Sequence, residues 1–412
     1  MNTTQGPLTG IRVVDMTTSY AGPTAGMYLA DLGATVVKVE KPGHGDDARQ
    51  WGPPFVGGVS AWFASTNRNK QSIVIDLRSV RGLELLQELV AEADVFIQNM
   101  NPSKLERLGV DYPTMRRRNP RLIYCALSGF GLDGPDSQLP GYDLVAQARS
   151  GLMSVTGEKG RIPQRVSTSL SDIVTGMNAA SAINAALVRQ AKTGEGDLID
   201  VSLLDSDLAL MSPRIAAYMA GDAEPAPSGG TDSVLAVYQT FEAADRTIVL
   251  AIGNDGQWQR FCSLVGDEQL AADPRFADNA GRRAHRDEVT SRVAAHIADR
   301  TAAEWAEALA EVQIPMAKVQ GLSEVVADPQ VVARGTVLRL DESDPGLTSI
   351  RAPFRFDSIV NVRNEGVPEL GEHTVQVLKS LGLDSAAIDT LISTGTVEAP
   401  AAYTPERQET AV

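Results

Sequence analysis

The sequence predicts an α/β protein built on a mostly parallel sheet, with a smaller α+β unit carried late in the chain. Three observations lead there. Short apolar runs alternate with helical patterns through the first 200 residues, as in βαβ units, whose crossovers are right-handed. Two alternating strands around the polar turn Ala244-Asp245-Arg246 then break that rhythm. At 412 residues the chain also exceeds what one core ordinarily fills.

Leu8–Asp15 (LTGIRVVD) reads as a buried strand, a helix runs from the TTSYAGPTAG segment to Leu32-Gly33, and Thr35–Glu40 reads as the second strand. Ser72–Leu77, a helix over Arg81–Ala93, and strands at Asp94–Asn99 and Leu122–Ser128 continue the alternation. A Gly- and Pro-rich crossing leads to a helix over Asp143–Leu152. From Ile173 the run IVTGMNAASAINAALVRQ carries no charge before Arg189 and stops at Thr193-Gly194, which predicts a helix buried on most sides. Residues 197–212 supply a last strand and helix, and Pro213–Asp232 reads as a linker or flap.

The second unit takes strands at Tyr238–Glu242, Thr247–Gly253 and Met316–Val319. Its helices are expected at Gly256–Val265, Arg286–Ala298 and Thr301–Val312. Gly335–Leu340, Ile350–Phe356 and a helical tail over Gly371–Leu391 return to the first lobe, and residues after Glu398 fray. The expected division is therefore 1–212 with 330–412, a linker or flap at 213–232, and a small α+β domain at 233–329.

A net charge of −15 argues against nucleic acid and against an anionic membrane as partners. Residues 1–125 hold 14 Lys+Arg against 12 Asp+Glu, so the N-terminal part favours an anionic small ligand while the remainder is strongly acidic. No apolar run reaches transmembrane length and no leader pattern opens the chain, so a cytoplasmic protein is expected. Cys125 and Cys262 have no CxxC partner, and His44, His285, His296 and His373 lack ligand spacing. Reduced thiols and no metal follow.

Ligands of such sheets sit outside the carboxyl ends of the strands. The turns there are 17–24, 41–49, Arg78 and 99–102, and two of the four carry a Lys or Arg. Glu40 stands where a ribose-binding acid would, but the first turn has only Gly22 and Gly26 with Pro23 between them. That lacks the G-x-G-x-x-G needed for pyrophosphate and disfavours nicotinamide or flavin. The loop Lys41-Pro42-Gly43-His44-Gly45-Asp46 reads as a surface turn or a phosphate cradle. In Ser169-Leu170-Ser171-Asp172, Asp172 stands at the mouth of the long helix, as an ordinary cap or as a reacting group. Asp143, after Tyr142, repeats that arrangement, and two carboxylates brought together tune one another.

The blocks LTGIRVVDMTTSYAGPTAGMYLADLGATVVKVEKPGHGD, NRNKQSIVIDL, ADVFIQN, NPRLIYCALSGFGLDGP, GYDLVAQARSGLMSVTG, SDIVTGMNAASAINAAL, KTGEGDLIDVSLLDS and GEHTVQVLKSLGL resemble the class III coenzyme A transferases. That family includes formyl-CoA transferase, carnitine CoA-transferase and the bile-acid-inducible type, with α-methylacyl-CoA racemase as a side branch. The resemblance implies a Rossmann-like large domain made of both chain ends, a small domain between them, and an interlocked homodimer. It implies Asp172 as nucleophile, supported by Tyr20, Tyr142, Asp143 and a glycine flap at Gly229-Gly230. It places Ser19, Ala21, Lys41, Ile75, Arg78, Asn99, Met100, Asn101, Arg107 and Leu108 along coenzyme A.

The implied reaction moves coenzyme A from an acyl-CoA donor to a small carboxylic acid, through an aspartyl mixed anhydride and an aspartyl-CoA thioester. No cofactor beyond coenzyme A or acyl-CoA as substrate is implied. Tyr20 stands where formyl-CoA transferases carry glutamine, and the flap is shorter, which argues against an oxalate or formyl substrate. Tyr142 stands where the racemase branch has histidine and cannot serve as its imidazole base. A 2-methylacyl-CoA racemase-like enzyme and a non-catalytic acyl-CoA-binding protein remain the alternatives.

Overall fold

The computed structural model describes residues 6–340, 346–357, 364–400 and 403. The chain groups into two units: Met1–Leu152 with Arg165–Asp222 and Gly335–Val412, and Met153–Gln164 with Ala223–Arg334.

The first unit is built on six parallel strands, β1 (Arg12–Asp15), β2 (Thr35–Glu40), β3 (Lys70–Ile75), β4 (Val95–Gln98), β5 (Ile123–Ser128) and β6 (Asp197–Ser202). They lie in the order β3-β2-β1-β4-β5-β6, and Val397–Glu398 adds a short antiparallel edge beside β3. Side chains alternate across a strand, so β1, β2, β4 and β5 each feed two cores. On one face Val14, Ile73, Ile75, Phe96 and Tyr124 pack against Leu85, Leu86 and Leu89 of α3 (Val80–Ala91) and against Val377, Leu378 and Ile388 of the tail helices. On the other, Val13, Val36, Val95, Ile97 and Cys125 meet α1 (Ala21–Asp31) and α6 (Leu170–Thr193). Three further helices flank the site, α2 (Ala61–Asn67), α4 (Pro102–Leu108) and α5 (Asp143–Arg149), and α7 (Leu203–Met219) follows β6.

Several bounds differ from the sequence expectation for identifiable reasons. The first strand begins at Arg12, because Leu8 to Gly10 form a turn in which Gly10 takes φ +92°. β3 starts two residues early at Lys70, a buried lysine whose charge is answered inside the sheet by Asp15. The segment after Ser212 is not yet loop. α7 continues through Pro213 to Met219, since the alanines beyond it favour helix and the lost N–H costs one bond. In the tail only Thr348–Ile350 is strand within the stretch around Ile350–Phe356. Beyond Glu398 all but residues 399, 400 and 403 lie outside the described residues.

α6 is less enclosed than its composition suggests. Thr175, Gly176, Ala179, Ala180, Ile183 and Leu187 are buried on one side, while Met177 and Val188 are 42% and 57% exposed on the other. The buried side crosses α1 closely. A Cβ on Gly176 would stand 2.6 Å from the main-chain oxygen of Ala21.

The second unit holds an antiparallel sheet of β7 (Tyr238–Glu242), β8 (Thr247–Ala251) and β9 (Met316–Lys318), with β8 central. Trp258 and Phe261 of α8 (Asp255–Val265), Val293 of α9 (Arg286–Ile297) and Trp305 of α10 (Ala302–Glu311) fill its core. Among the described residues no helix is long and apolar enough to cross a membrane.

Candidate active site

In the first unit the strand order reverses at β1, whose neighbours are β2 and β4. The turns leaving β1 and β4 therefore part beside a crevice, where open α/β sheets take their ligands. Asn99 ties the two together: its amide nitrogen donates to the oxygen of Thr18 (2.9 Å) and its oxygen accepts from the Thr18 N–H (3.1 Å). Ser19 holds φ +73°, the left-handed region, and its N–H donates to Asp46 Oδ1 at 3.0 Å. A wholly buried ion network lies beneath. Lys38 Nζ sits 2.8 Å from Asp46 Oδ2 and donates to the oxygen of Thr17, while Lys70 Nζ donates to Asp15 Oδ2 at 2.9 Å. Burial pushes the Asp15 carboxyl up, but Lys70 and Lys38 outweigh it and hold it at about 2. The turn is thus fixed from below by charge and from the side by Asn99.

Above it opens a cleft of about 450 Å³, within the usual range for small-ligand sites. It is lined by Thr18, Ser19 and Ala21 of the turn after β1, by residues 99–102 and 137–142, and by Asp172 and Thr175 of α6. Of the residues expected at the site, the cleft brings together Ser19, Ala21, Asn99, Met100, Asn101, Tyr142 and Asp172. Tyr142 is 67% exposed at the rim. Asn101 caps α4 and donates to Gln138 Oε1 at 3.3 Å.

Asp172 is the third residue of α6 and does not cap it. The N-cap is Ser169, whose side chain makes no capping bond, and the carboxylate of Asp172 has no hydrogen bond or ion pair among the described residues. Capping falls instead to Asp143, which is buried. Its Oδ1 accepts from the Ser171 N–H at 2.9 Å and its Oδ2 from Gln147 Nε2 at 2.8 Å. Burial, then Asp143, then Asp207 raise the Asp172 carboxyl from 3.8 to about 7. The arrangement leaves one unsatisfied, poorly solvated carboxylate facing a cleft, which suits nucleophilic attack on a carbonyl.

Tyr20, between Ser19 and Ala21, is not itself on the cleft surface. Its hydroxyl pairs with Ser65 Oγ at 2.9 Å, and its ring meets Trp62 edge-on, which in turn meets Trp51 on the cleft surface. Burial raises the phenol above its ordinary value, with the charge of Asp172 adding to it.

Other expected positions fall elsewhere. Ile75 is wholly buried in the core beneath the sheet and presents no side chain to a ligand. Lys41 is exposed and paired with Asp47 at 2.5 Å, and Arg78 grips Asp76 through two bonds. Arg107 and Leu108, on the last turn of α4, do not line the cleft; Leu108 packs on the core instead. Gly229 and Gly230 belong to the second unit. There the Gly229 N–H donates to the oxygen of Gly157 at 2.8 Å, and Gly230 abuts Thr240. No Lys, Arg or His lines the cleft among the described residues. Glu40 is taken up by Arg49 and Ser72, which removes the acid a dinucleotide ribose would need.

Sequence reasoning missed Trp51, Ser128, Gln138 and Thr175 on the cleft surface, and Asp207 behind it. Asp207 had a signal. It shares the buried face of α7 with Leu203 and Met211 at helical spacing, a place for an apolar side chain.

The chain matches the model of CoA-transferase family III over residues 8–374. It is 39% identical over 384 residues to a succinate–glutarate CoA-transferase of Agrobacterium fabrum, covering 91% of this chain and 96% of that one. It is 36% identical over 394 residues to the succinyl-CoA:glutarate CoA-transferase of Homo sapiens, covering 95% and 90%. A crystal structure of a CaiB/BaiF family protein from Brucella suis is similar at a TM-score of 0.80 and 38% identity, over 92% of this chain and all of that one.

Proposed function

The chain belongs to CoA-transferase family III, and from that premise we propose that it moves coenzyme A from an acyl-CoA to a small carboxylic acid with Asp172 as the nucleophile. One observation carries the assignment: the carboxylate at the mouth of α6 is free of the capping bonds that would otherwise account for it.

Exchange between a thioester and a carboxylic acid is close to balanced in energy, so the enzyme needs a relay. Asp172 attacks the donor carbonyl, forming a mixed anhydride and releasing coenzyme A as thiolate. The thiolate then takes Asp172 as its thioester and frees the donor acid. The acceptor carboxylate attacks that thioester, giving a second mixed anhydride and releasing the thiolate, which attacks the acceptor's carbonyl to form the new acyl-CoA and free Asp172. Of the first-turn amides of α6, those of Leu170, Ser171 and Ile173 are taken, which leaves the Asp172 N–H as the donor for the developing oxyanion. The relay requires no cofactor besides coenzyme A itself.

Lys41 and Arg78 sit in exposed ion pairs that solvent screens, so a phosphate of coenzyme A displaces their carboxylates readily. The relatives named for succinate and glutarate support small dicarboxylic acids as the exchanging pair. The strand order supports a Rossmann-like large unit. The exposed apolar side chains of α6 and α7 support a homodimer.

The test is covalent. With succinyl-CoA as donor, hydroxylamine should trap an adduct on the peptide holding Asp172, and labelled glutarate should appear as glutaryl-CoA. Asp172→Ala should lower transfer by about 10³-fold or more while binding coenzyme A as before. Normal turnover by that variant rejects the assignment. Binding without any exchange identifies an acyl-CoA-binding protein instead.

A further inference from the structure

Behind the cleft lies a carboxyl that the relay leaves unused. Asp207 is wholly buried on α7. Its Oδ2 accepts from Ser171 Oγ at 2.8 Å and from Ser150 Oγ at 3.5 Å, while Oδ1 has no hydrogen-bond partner. Among the described residues no cation is paired with it. Burial raises this carboxyl above its ordinary value and makes its charge costly, whereas an apolar side chain would fill the same α6–α7 contact without that cost. Neither hydrophobic packing nor ion pairing accounts for it.

Its one strong contact points to a use. Ser171 immediately precedes Asp172; its N–H is held by Asp143 from α5, and its hydroxyl donates to Asp207 from α7 at 2.8 Å, with the main-chain oxygen of Asp143 a longer second acceptor at 3.3 Å. We infer that Asp207 is a positioning residue for the nucleophile, fixing the first turn of α6 through Ser171 and setting a second carboxyl behind Asp172. The inference rests on Asp172 being the reacting group. A side chain that must reach a carbonyl along one line loses about 10²-fold in rate for a displacement of about 1 Å, so clamping the preceding residue from two sides matters. The negative field has its own effect. Asp172 faces Asp143 from α5, Asp207 from α7 and the Tyr20 phenol from the turn before α1, with no cation among them. Such surroundings favour its proton, and a more basic carboxylate is the better nucleophile.

Three variants separate the two contributions. Asp207→Asn keeps the volume and an acceptor for Ser171 Oγ but removes the charge. Asp207→Ala and Ser171→Ala remove the clamp. In Asp207→Asn the acidic limb of the kcat–pH profile should move to lower pH, with KM for acyl-CoA within about twofold. The two alanine variants should each lose about 10- to 100-fold in kcat at unchanged KM, and their double variant should lose no more than either single one, because they break the same contact. An acidic limb that stays at the wild-type pH in Asp207→Asn overturns the inference, as does additive loss in the double variant. Hydroxylamine trapping on the same proteins keeps the two readings apart. A wild-type enzyme with no adduct at Asp172 fails the nucleophile, whereas variants that form the adduct at the wild-type rate fail Asp207 alone.

Discussion

Asp172 is subject to two opposed pulls. The first turn of a helix favours a negative charge by about 0.3–1 kcal/mol. Burial and the neighbouring carboxyls oppose it and win, holding the group at about 7 instead of 3.8. The folded-state value lies above the unfolded one, so the stability it contributes is fully present below about pH 4 and lost as pH rises through about 7. Asp172→Asn, which cannot ionise, should therefore unfold at higher urea than wild type at pH 8, by on the order of 2 kcal/mol, and at nearly the same urea at pH 4. A variant no more stable than wild type at pH 8 would show that the carboxylate is better solvated than its burial implies. How far the site could be read in the sequence follows from the same residues. Position at a helix mouth marked Asp172, but which carboxylate caps the helix depends on Asp143, which arrives from another element 28 residues before Ser171. Local sequence cannot choose between two such acids.

At the scale of elements, apolar periodicity placed most strands and helices to within a residue or two, because their buried faces are regular. It failed where polar groups are satisfied at long range. The strand expected from Ser72 already runs from Lys70, because Asp15 of β1 answers that lysine's charge. Val397–Glu398 is too short to show a period, and its place is set by β3. Gly176 is the sharpest test of element packing. Alanine at a helix interior is worth about 1 kcal/mol over glycine, which alone would stabilise α6. Yet the new methyl would meet the Ala21 carbonyl at 2.6 Å, and backbone cannot swing aside as a side chain can. Overpacking of this kind costs about 1–3 kcal/mol, so the clash wins. Gly176→Ala should lower the urea midpoint with the m-value unchanged, and because Asp172 sits one turn away, activity should fall with it. A higher midpoint would mean that α1 and α6 part without penalty.

At the scale of the whole molecule, the first unit exposes more large apolar side chains on α6 and α7 than isolated surface residues explain. Met177, Val188, Leu210, Ile215, Tyr218 and Met219 are between 38% and 78% exposed, and the edge strand β6 adds Leu198. Scattered apolar residues are ordinary on a surface, but a run of them along two consecutive helices beside an open sheet edge is a face awaiting cover. Two copies of a chain at −15 repel at long range, so a second copy settles there only if apolar contact outweighs the repulsion. Stable interfaces bury about 1,200–2,000 Å² in total. In the proposed interlocked homodimer the chains separate only by unfolding, so dilution should not part them. Light scattering on the full chain should give twice the chain mass at micromolar and at tenfold lower concentration, and at both 50 mM and 500 mM salt. Val188→Glu with Leu210→Glu should reduce that mass or prevent assembly, since each places a charge where an apolar partner is expected. A single-chain mass for wild type at micromolar concentration would leave these helices facing water, and the homodimer would fall with it.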